Sequence, residues 1–502
     1  MPNSDSYNAL MERMSRYNLI GSIAGNLSWD FHTMMPPKGA THRSQQLALI
    51  ASLTHEIITD EEIHLLLDSL QNHDKIGTVS PQERRNIYLT KRMHERETKI
   101  PKKLVTQFAE QSTQTQNAWI RAKKKKSFDL VKPDFAAFLE LARQIAQALN
   151  PGQEPFDVFM DNYCEPGMTA AKLEPMFARL KKELIPLIEN CVHSSKQPDL
   201  SITQRSLSID LQRELSNEVA RLIGYDLEAG RIDEAEHPFT AGFAGDVRIT
   251  THYHDAFAKS FFFVLHETGH AIYNQAINPE FTNLPIGQFA SLGIHESQSR
   301  FMENLIGRSL AFWKYYLPHF KRITDPIFRD VTAKDMWFAL NNVALSPIRV
   351  FADEITYTLH IILRFELERD LLLDKLDLDE LPHIWNEKMS EYLKIDVKND
   401  AEGVLQDVHW YSGSFGYFPT YSLGSIYASQ LWDAMTRELP DLSDQIAQGN
   451  FPLINSWLDE KIRIHGNLYD PEELIERATG EKPSEKHFLT YLTKKYTELY
   501  DL

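Results

Sequence analysis

Residues 262–273 read Phe262-Phe263-Val264-Leu265-His266-Glu267-Thr268-Gly269-His270-Ala271-Ile272-Tyr273. The stretch contains the pattern His-Glu-x-x-His between apolar residues. On a helix, residues four apart lie on one face, so His266 and His270 can present two imidazoles to one metal ion. Glu267 lies beside that face, where its carboxylate can act on a water molecule bound to the same ion. The stretch therefore predicts a helix that carries two metal ligands and a general base.

Apolar residues flank the pattern on both sides, from Phe261 to Leu265 and from Ala271 to Tyr273. A helix of this kind is expected to be buried almost all round and to lie in the core of the fold. The alternative interpretation is a surface helix with a chance pair of histidines. Buried imidazoles and a buried carboxylate need partners, and a metal ion supplies them. The flanks therefore favour a zinc site of the kind found in metallopeptidases.

A catalytic zinc site needs a third protein ligand and one open position for water. The stretch Gly293–Arg300 follows the motif and continues into a second predicted helix. Within it, Glu296 is the first candidate, because a second helix with a glutamate completes the two-His-plus-Glu class of site. His295 is the competing candidate. Glu303, seven residues further on the same helical face, is the third.

Composition excludes several other classes of protein. The chain has 502 residues, with 53 Lys and Arg against 70 Asp and Glu, so its formal net charge is −17. An acidic chain is a poor nucleic-acid binder. Two cysteines do not make a disulfide framework and are typical of a reducing compartment. With no leader pattern in residues 1–6 and no long apolar run, we expect a cytoplasmic protein without a membrane span.

The pattern is helical along nearly the whole chain. The segment 237–253 is different, because it contains glycines and alternating β-branched residues, and it predicts a short hairpin or small sheet just before the motif helix. The segment 412–424 is rich in glycine and aromatics and is interpreted either as a substrate-facing loop or as a packed loop between helices. The expected architecture is one large, mainly α-helical domain over residues 1–502, two-lobed around a groove.

Several further stretches carry a resemblance to a known family. In chain order they are Leu27–Asp30 with Met35–Pro37, His237–Phe239, Asp246–Thr250, His266–His270, His295–Gln298, Ile348–Asp353 and Gly403–Trp410. With these motifs in order from about residue 20 to about residue 500, the sequence resembles the thermostable carboxypeptidase Taq family of zinc carboxypeptidases.

The resemblance implies properties that spacing alone does not. The implied fold is almost all helical, with a deep groove and a very small sheet beside the metal. The implied activity is release of single residues from peptide C-termini, with broad specificity and poor action on C-terminal proline. The implied metal is zinc, which cobalt can replace, and the implied assembly is a homodimer. By resemblance, His266, His270 and Glu296 hold the metal, and Glu267 is the catalytic acid and base.

Other side chains are candidates for binding substrate. A donor is expected to stabilise the oxyanion that forms at the scissile carbonyl, and the sequence does not choose among four candidates: His237, His409, Tyr411 and Tyr421.

An exopeptidase must also recognise the free C-terminal carboxylate, which suits the planar fork of arginine. Arg349 is the preferred candidate and Arg248 is the other. The alternative for each is a structural ion pair, Arg349 with Asp353 and Arg248 with Asp246.

Three functional hypotheses follow. The leading one is a zinc carboxypeptidase acting on peptides with a free C-terminus. The second is a zinc oligopeptidase or dipeptidyl carboxypeptidase, which uses the same chemistry at a different bond. The third is a zinc-stabilised binding protein without turnover, which the presence of Glu267 disfavours because a purely structural site needs no base.

Overall fold

The computed structural model of the protein describes residues 2–74, 79–243 and 245–502. Over these residues the fold is mainly α, with one three-stranded sheet beside the motif helix, as the sequence predicts. The chain divides into two compact units, and each contains three separate segments. The first unit is Met1–Thr98, Asp199–Leu340 and Leu431–Lys482, and the second is Lys99–Pro198, Asn341–Gln430 and Pro483–Leu502. The expectation of one domain over residues 1–502 stays a prediction.

The helices and strands follow one another along the chain as follows: α1 (Pro2–Thr33), α2 (Ala40–Ile58), α3 (Glu61–Asp74), α4 (Pro81–Lys99), α5 (Lys102–Lys125), α6 (Lys132–Leu149), α7 (Pro155–Phe159), α8 (Ala170–His193), α9 (Ile209–Leu222), β1 (Gly230–Glu234), β2 (Thr240–Phe243), β3 (Asp246–Thr251), α10 (Phe257–Ala276), α11 (Leu292–Arg300), α12 (Leu310–Thr324), α13 (Ala333–Leu340), α14 (Tyr357–Leu372), α15 (Leu381–Leu393), α16 (His409–Ser412), α17 (Pro419–Glu438), α18 (Leu442–Ala447), α19 (Phe451–Lys461), α20 (Pro471–Thr479) and α21 (Lys486–Tyr500). None of the helices in the described residues is both long enough and apolar enough to cross a membrane.

The small sheet has the strand order β1-β3-β2. Strand β2 pairs antiparallel with β3, which confirms the hairpin predicted over residues 237–253, although Ala244 between the two strands lies outside the described residues. Strand β1 pairs parallel with β3 and was not predicted, because it lies before the segment that carries the alternating pattern. Strand β3 is central and mostly buried, whereas β2 is an edge strand that packs on α10.

Helix α10 contains the His-Glu-x-x-His motif and lies in the core of the first unit. Its N-terminal aromatics form the packing: Phe257 and Phe261 are buried and meet the rings of Trp313 and Phe320 on α12. Aromatic burial of this kind dominates core energetics, at about 1.5–3 kcal/mol for each fully buried large side chain. The apolar flanks of the motif therefore fix the helix in the core.

Helix α11 follows and packs on α10. Its N-terminus is capped by Ser291, whose hydroxyl accepts the backbone N–H of Ile294 at 3.0 Å. The two helices approach closely at Gly269, where an added Cβ would lie 2.4 Å from the carbonyl oxygen of Gln298. Gly269 is therefore required by the contact between backbones, in the middle of the motif.

The predicted irregular segment 412–424 is irregular only as far as Phe418, because α17 begins at Pro419. Phe415 and Phe418 are buried, and the backbone N–H of Gly416 donates to the carboxylate of Glu368, which also accepts from Trp410. Burial raises the pKa of Glu368 to about 7. These contacts favour the packed-loop interpretation over the substrate-facing one.

Candidate metal centre

His266, His270 and Glu296 converge in the first unit. One ligand atom from each lies within 4.8 Å of the others, and this is the one such group found among residues 2–74, 79–243 and 245–502. Oε2 of Glu296 lies 3.5 Å from Nε2 of His266 and 3.4 Å from Nε2 of His270. Two imidazoles and one carboxylate that face a common point fit a divalent transition metal such as zinc, with a position left open.

Helix geometry explains this convergence. The four-residue spacing places the two imidazoles on the same face of α10, and the close approach at Gly269 brings α11 near enough for Glu296 to reach them. Glu296 is almost fully buried, so its negative charge needs the cationic and donor groups around it.

Glu303 lies behind His266 and orients it. Nδ1 of His266 donates to Oε2 of Glu303 at 2.8 Å, which leaves Nε2 for a metal. Arg300 joins the two acids, with Nε 2.7 Å from Oε1 of Glu296 and Nη1 3.3 Å from Oε2 of Glu303. Burial alone would raise the pKa of each carboxyl, but Arg300 and His266 outweigh it. The pKa of Glu296 falls far below its usual range and that of Glu303 falls to about 2.

His295, the competing candidate for third ligand, stands apart from the group. Its Nε2 lies 3.1 Å from Oδ1 of Asn274, and its ring stacks on that of His270 with the centroids 4.2 Å apart. Burial and the neighbouring His270 lower its pKa well below the ordinary value. The structure therefore brings Glu296, and neither His295 nor Glu303, into the candidate metal-binding group.

Glu267 is buried beside the group and is held by strand β2. The hydroxyl of Thr240 donates to Oε2 of Glu267 at 2.5 Å. Sequence reasoning missed Thr240, although it directly follows the quoted motif His237–Phe239, because no spacing rule links an edge-strand threonine to a glutamate 27 positions later. His237 itself is exposed, on the segment between β1 and β2.

Arg248 lies on β3 in the first unit. Its Nε and Nη2 each lie 2.7 Å from the carboxylate of Asp246, so the structural ion pair considered for it is present. The guanidinium also lies over the ring of Trp29, with 4.7 Å between Cζ and the ring centroid. Its fork is therefore engaged within the protein.

Arg349 lies in the second unit, almost fully buried. The ion pair with Asp353, which was the alternative considered for Arg349, is not formed, because Asp353 accepts the backbone N–H groups of Thr356 and Ala344 instead. The four-residue rule fails here because Arg349 begins a single 3₁₀ turn that ends in extended backbone. Instead, Nη2 of Arg349 lies 2.9 Å from Oδ1 of Asp407 and Nη1 donates to the Tyr357 hydroxyl at 2.6 Å.

Asp407 binds a second arginine as well. Nε of Arg364, which is fully buried, donates to Oδ2 of Asp407 at 2.7 Å. One carboxylate thus faces two guanidinium groups, and the three side chains together have one excess positive charge. Burial alone would raise the pKa of Asp407, but Arg364 and Arg349 outweigh it and lower the pKa far below its usual range. The sequence motif Gly403–Trp410 contained Asp407 without indicating this role.

Two of the oxyanion candidates lie next to Arg349 in the second unit. Nε2 of His409 lies 3.3 Å from the Tyr421 hydroxyl, and the Arg349 guanidinium lies over the Tyr421 ring at 5.1 Å. Burial lowers the pKa of His409 to about 4, so its imidazole is neutral at pH 7. Tyr411, by contrast, is fully buried and its hydroxyl donates to the carbonyl of Val404, so we do not retain it as a substrate-binding residue.

Comparison with known proteins identifies the family of this chain. The family model for carboxypeptidase Taq (M32) metallopeptidases matches residues 9–496. The thermostable carboxypeptidase 1 of Thermus thermophilus is 39% identical over 99% of this chain and 99% of its own length. The crystal structure of the carboxypeptidase of this family from Deinococcus radiodurans is 34% identical, covers 99% of this chain and 100% of its own, and has a TM-score of 0.96. The structure of metallocarboxypeptidase 1 of Trypanosoma cruzi is 33% identical, covers 98% of this chain and 99% of its own, and has a TM-score of 0.93. This chain therefore belongs to the carboxypeptidase Taq family and is a metallocarboxypeptidase.

Proposed function

We propose that this metallocarboxypeptidase uses zinc, held by His266, His270 and Glu296, to release single amino acids from the C-termini of peptides. The observation that carries the proposal is the convergence of these three side chains beside a buried Glu267. Following the resemblance, we expect broad specificity with poor action on C-terminal proline.

A zinc ion at this site would supply an acidified water and a Lewis acid for the scissile carbonyl. In the proposed reaction, Glu267 accepts a proton from the attacking water and later gives it to the leaving amine. Thr240 holds one carboxylate oxygen of Glu267, and the other oxygen would be the one that accepts the proton. Glu303 fixes the ring of His266 through Nδ1.

Release of single residues from the C-terminus requires recognition of the substrate's C-terminal carboxylate. We assign this role to Arg349, whose fork is held in place by Asp407 and Tyr357. The support is the excess positive charge that Arg349, Arg364 and Asp407 share, which suits an anion. Arg248 is the weaker candidate because the carboxylate of Asp246 matches its single charge, which leaves no excess positive charge at that pair. His409, Tyr421 and His237 are the candidate donors to the oxyanion.

Three further properties are proposed from the resemblance and the composition. Cobalt is expected to support activity in place of zinc, since both accept imidazole and carboxylate ligands. The protein is expected to form a homodimer and to act in the cytoplasm on peptides, without nucleic acid or membrane partners. The net charge of −17 argues against nucleic acid as a partner, and the two free cysteines support a reducing compartment such as the cytoplasm.

The test is the variant Glu267→Gln, which removes the base and keeps the shape of the side chain. We expect kcat to fall by about 10²–10⁴-fold while zinc content, measured by elemental analysis, stays at the wild-type level. Glu280→Gln, at an exposed position of the same unit, is the matched control and is expected to behave like wild type. Wild-type turnover by Glu267→Gln would refute the assignment of the base.

Mass spectrometry of digested peptides distinguishes a carboxypeptidase from the two alternative peptidase activities. Successive loss of one residue from the C-terminus is the expected product series. Loss of two residues at a time, or internal fragments, would instead identify a dipeptidyl carboxypeptidase or an oligopeptidase. A peptide whose C-terminus is amidated is expected to remain intact.

A further inference from the structure

The two histidines of the metal-binding group are held in different ways. Nδ1 of His266 donates to Glu303, as metal-ligating histidines almost always do to some acceptor. Nδ1 of His270 is buried and has no hydrogen-bond partner among the residues that the structure describes. The orientation of the His270 ring must therefore be fixed by a contact of another kind.

His295 makes that contact with the face of its ring. The His270 and His295 rings are nearly parallel, with an interplanar angle of 20° and 4.2 Å between their centroids. Phe289 is also nearly parallel to His295, at 25° and 4.3 Å. Two rings this close to one centroid would overlap if they shared a face, so His270 and Phe289 lie on opposite faces of His295.

The middle ring of this stack is itself held by a hydrogen bond. Nε2 of His295 donates to Oδ1 of Asn274, which lies on α10 one turn after His270. The amide nitrogen of Asn274 lies 3.5 Å from the carbonyl of Gly242 on strand β2. The His295 ring thus packs between Phe289 on one face and His270 on the other, and the hydrogen bond to Asn274 holds it against α10. These contacts fix the position of His295 relative to His270.

We propose that His295 is a positioning residue that fixes the imidazole plane of the metal ligand His270 by stacking, in place of the hydrogen bond that His266 donates to Glu303. The inference rests on the metal site proposed above and adds the device that orients its second histidine. It separates two roles for His295: a ligand would act through a ring nitrogen, whereas a stacking residue acts through the ring face. A phenylalanine keeps a ring face but has no ring nitrogen, either for a metal or for the hydrogen bond to Asn274.

The experiment compares His295→Ala with His295→Phe in the full-length protein. Zinc affinity is measured by competition with a chromophoric chelator, and the cobalt-substituted proteins are compared by their visible absorption spectra. We expect His295→Ala to bind zinc about tenfold more weakly than wild type, the size typical for loss of a group that supports a ligand. His295→Phe is expected to stay within about threefold of wild type and to keep the wild-type cobalt spectrum.

Two results would overturn the inference. Equal weakening by Phe and Ala, with an altered cobalt spectrum, would show that His295 acts through a ring nitrogen and not through its ring face. Wild-type affinity in His295→Ala would remove its role altogether. His266→Ala serves as the reference for the metal site itself: if it bound zinc as tightly as wild type, the proposed function would fail. If His266→Ala loses zinc as expected, an unexpected zinc affinity in the His295 variants would refute only the stacking role of His295.

Discussion

Replacement of Gly269 by alanine is expected to disable the metal centre without changing any ligand. The added Cβ would lie 2.4 Å from the carbonyl oxygen of Gln298 and 2.6 Å from Cα of Ser299. Ordinary contact begins near 3.4 Å, so α11 must move away from α10 by about 1 Å. Both obstructing atoms belong to backbone, and no side-chain rotation can relieve the contact.

The displacement acts directly on Glu296, which lies two residues before Gln298 on the same helix. Metal–ligand distances tolerate about 0.2 Å, so a shift of about 1 Å takes the Glu296 carboxylate out of bonding range of a metal held by the two histidines. We therefore expect zinc affinity to fall by at least about 100-fold and carboxypeptidase activity to fall with it. The overpacking itself should destabilise the fold by about 1–3 kcal/mol.

The assay is zinc content after equilibrium dialysis, with release of C-terminal amino acids measured on the same samples. Gly25→Ala is the matched control, because Gly25 is also helical and an added Cβ there meets nothing within 4 Å. That control should be neutral or slightly stabilising, by up to about 1 kcal/mol. If Gly269→Ala bound zinc and turned over peptide within twofold of wild type, the argument from helix approach to ligand position would be refuted.

Three further outcomes are expected. Thr240→Val should lower kcat about tenfold with little change in KM, because the Glu267 carboxylate loses its hydrogen bond to the Thr240 hydroxyl. Thr240→Ser keeps a hydroxyl and should retain activity, and equal activity in the two variants would contradict this role. Arg349→Lys keeps a positive charge but loses the fork, so KM for peptides with a free C-terminus should rise about tenfold, and an unchanged KM would remove Arg349 from carboxylate recognition. The pKa of Glu368 is raised by burial from 4.5 to about 7, so its contribution to stability is present below about pH 4.5 and is lost as the pH rises through 7. In thermal melts, the free energy of unfolding of Glu368→Gln relative to that of wild type should therefore rise by up to about 3 kcal/mol between pH 5 and pH 8. A difference that does not change with pH would refute the raised pKa of Glu368.

Much of the fold follows from local patterns in the sequence. Helical periodicity and apolar flanks predict α10 as a buried helix, and alternation in Val247, Ile249 and Thr251 predicts the hairpin strand β3. Both signals lie within a single element, where spacing alone decides which side chains share a face. The group His266, His270 and Glu296 combines one such local signal with a resemblance.

What the sequence does not indicate depends on contacts between elements. Arg349 pairs with Asp407, 58 positions away. The alternative partner four residues away, Asp353, is not reached because the backbone leaves the helical path after one turn. Thr240 reaches Glu267 only because β2 is the edge strand that packs on α10. Gly269 occupies a position that the motif leaves unspecified, and its necessity is apparent only when the backbone of α11 lies against it.

The division of each unit into three chain segments has a consequence for how the molecule is made. Helix α11, with its glutamate, is anchored through Gln298, whose side-chain oxygen accepts from Nε of the fully buried Arg463 at 2.8 Å. Arg463 is translated 165 residues after Gln298, and the middle segment of the second unit, Asn341–Gln430, is synthesised in between. A ribosome that has just released helices α10 and α11 therefore holds a first unit that still lacks this anchor. Contacts of such long sequence separation are slow to form, so the nascent first unit is exposed to aggregation until its last segment, Leu431–Lys482, emerges.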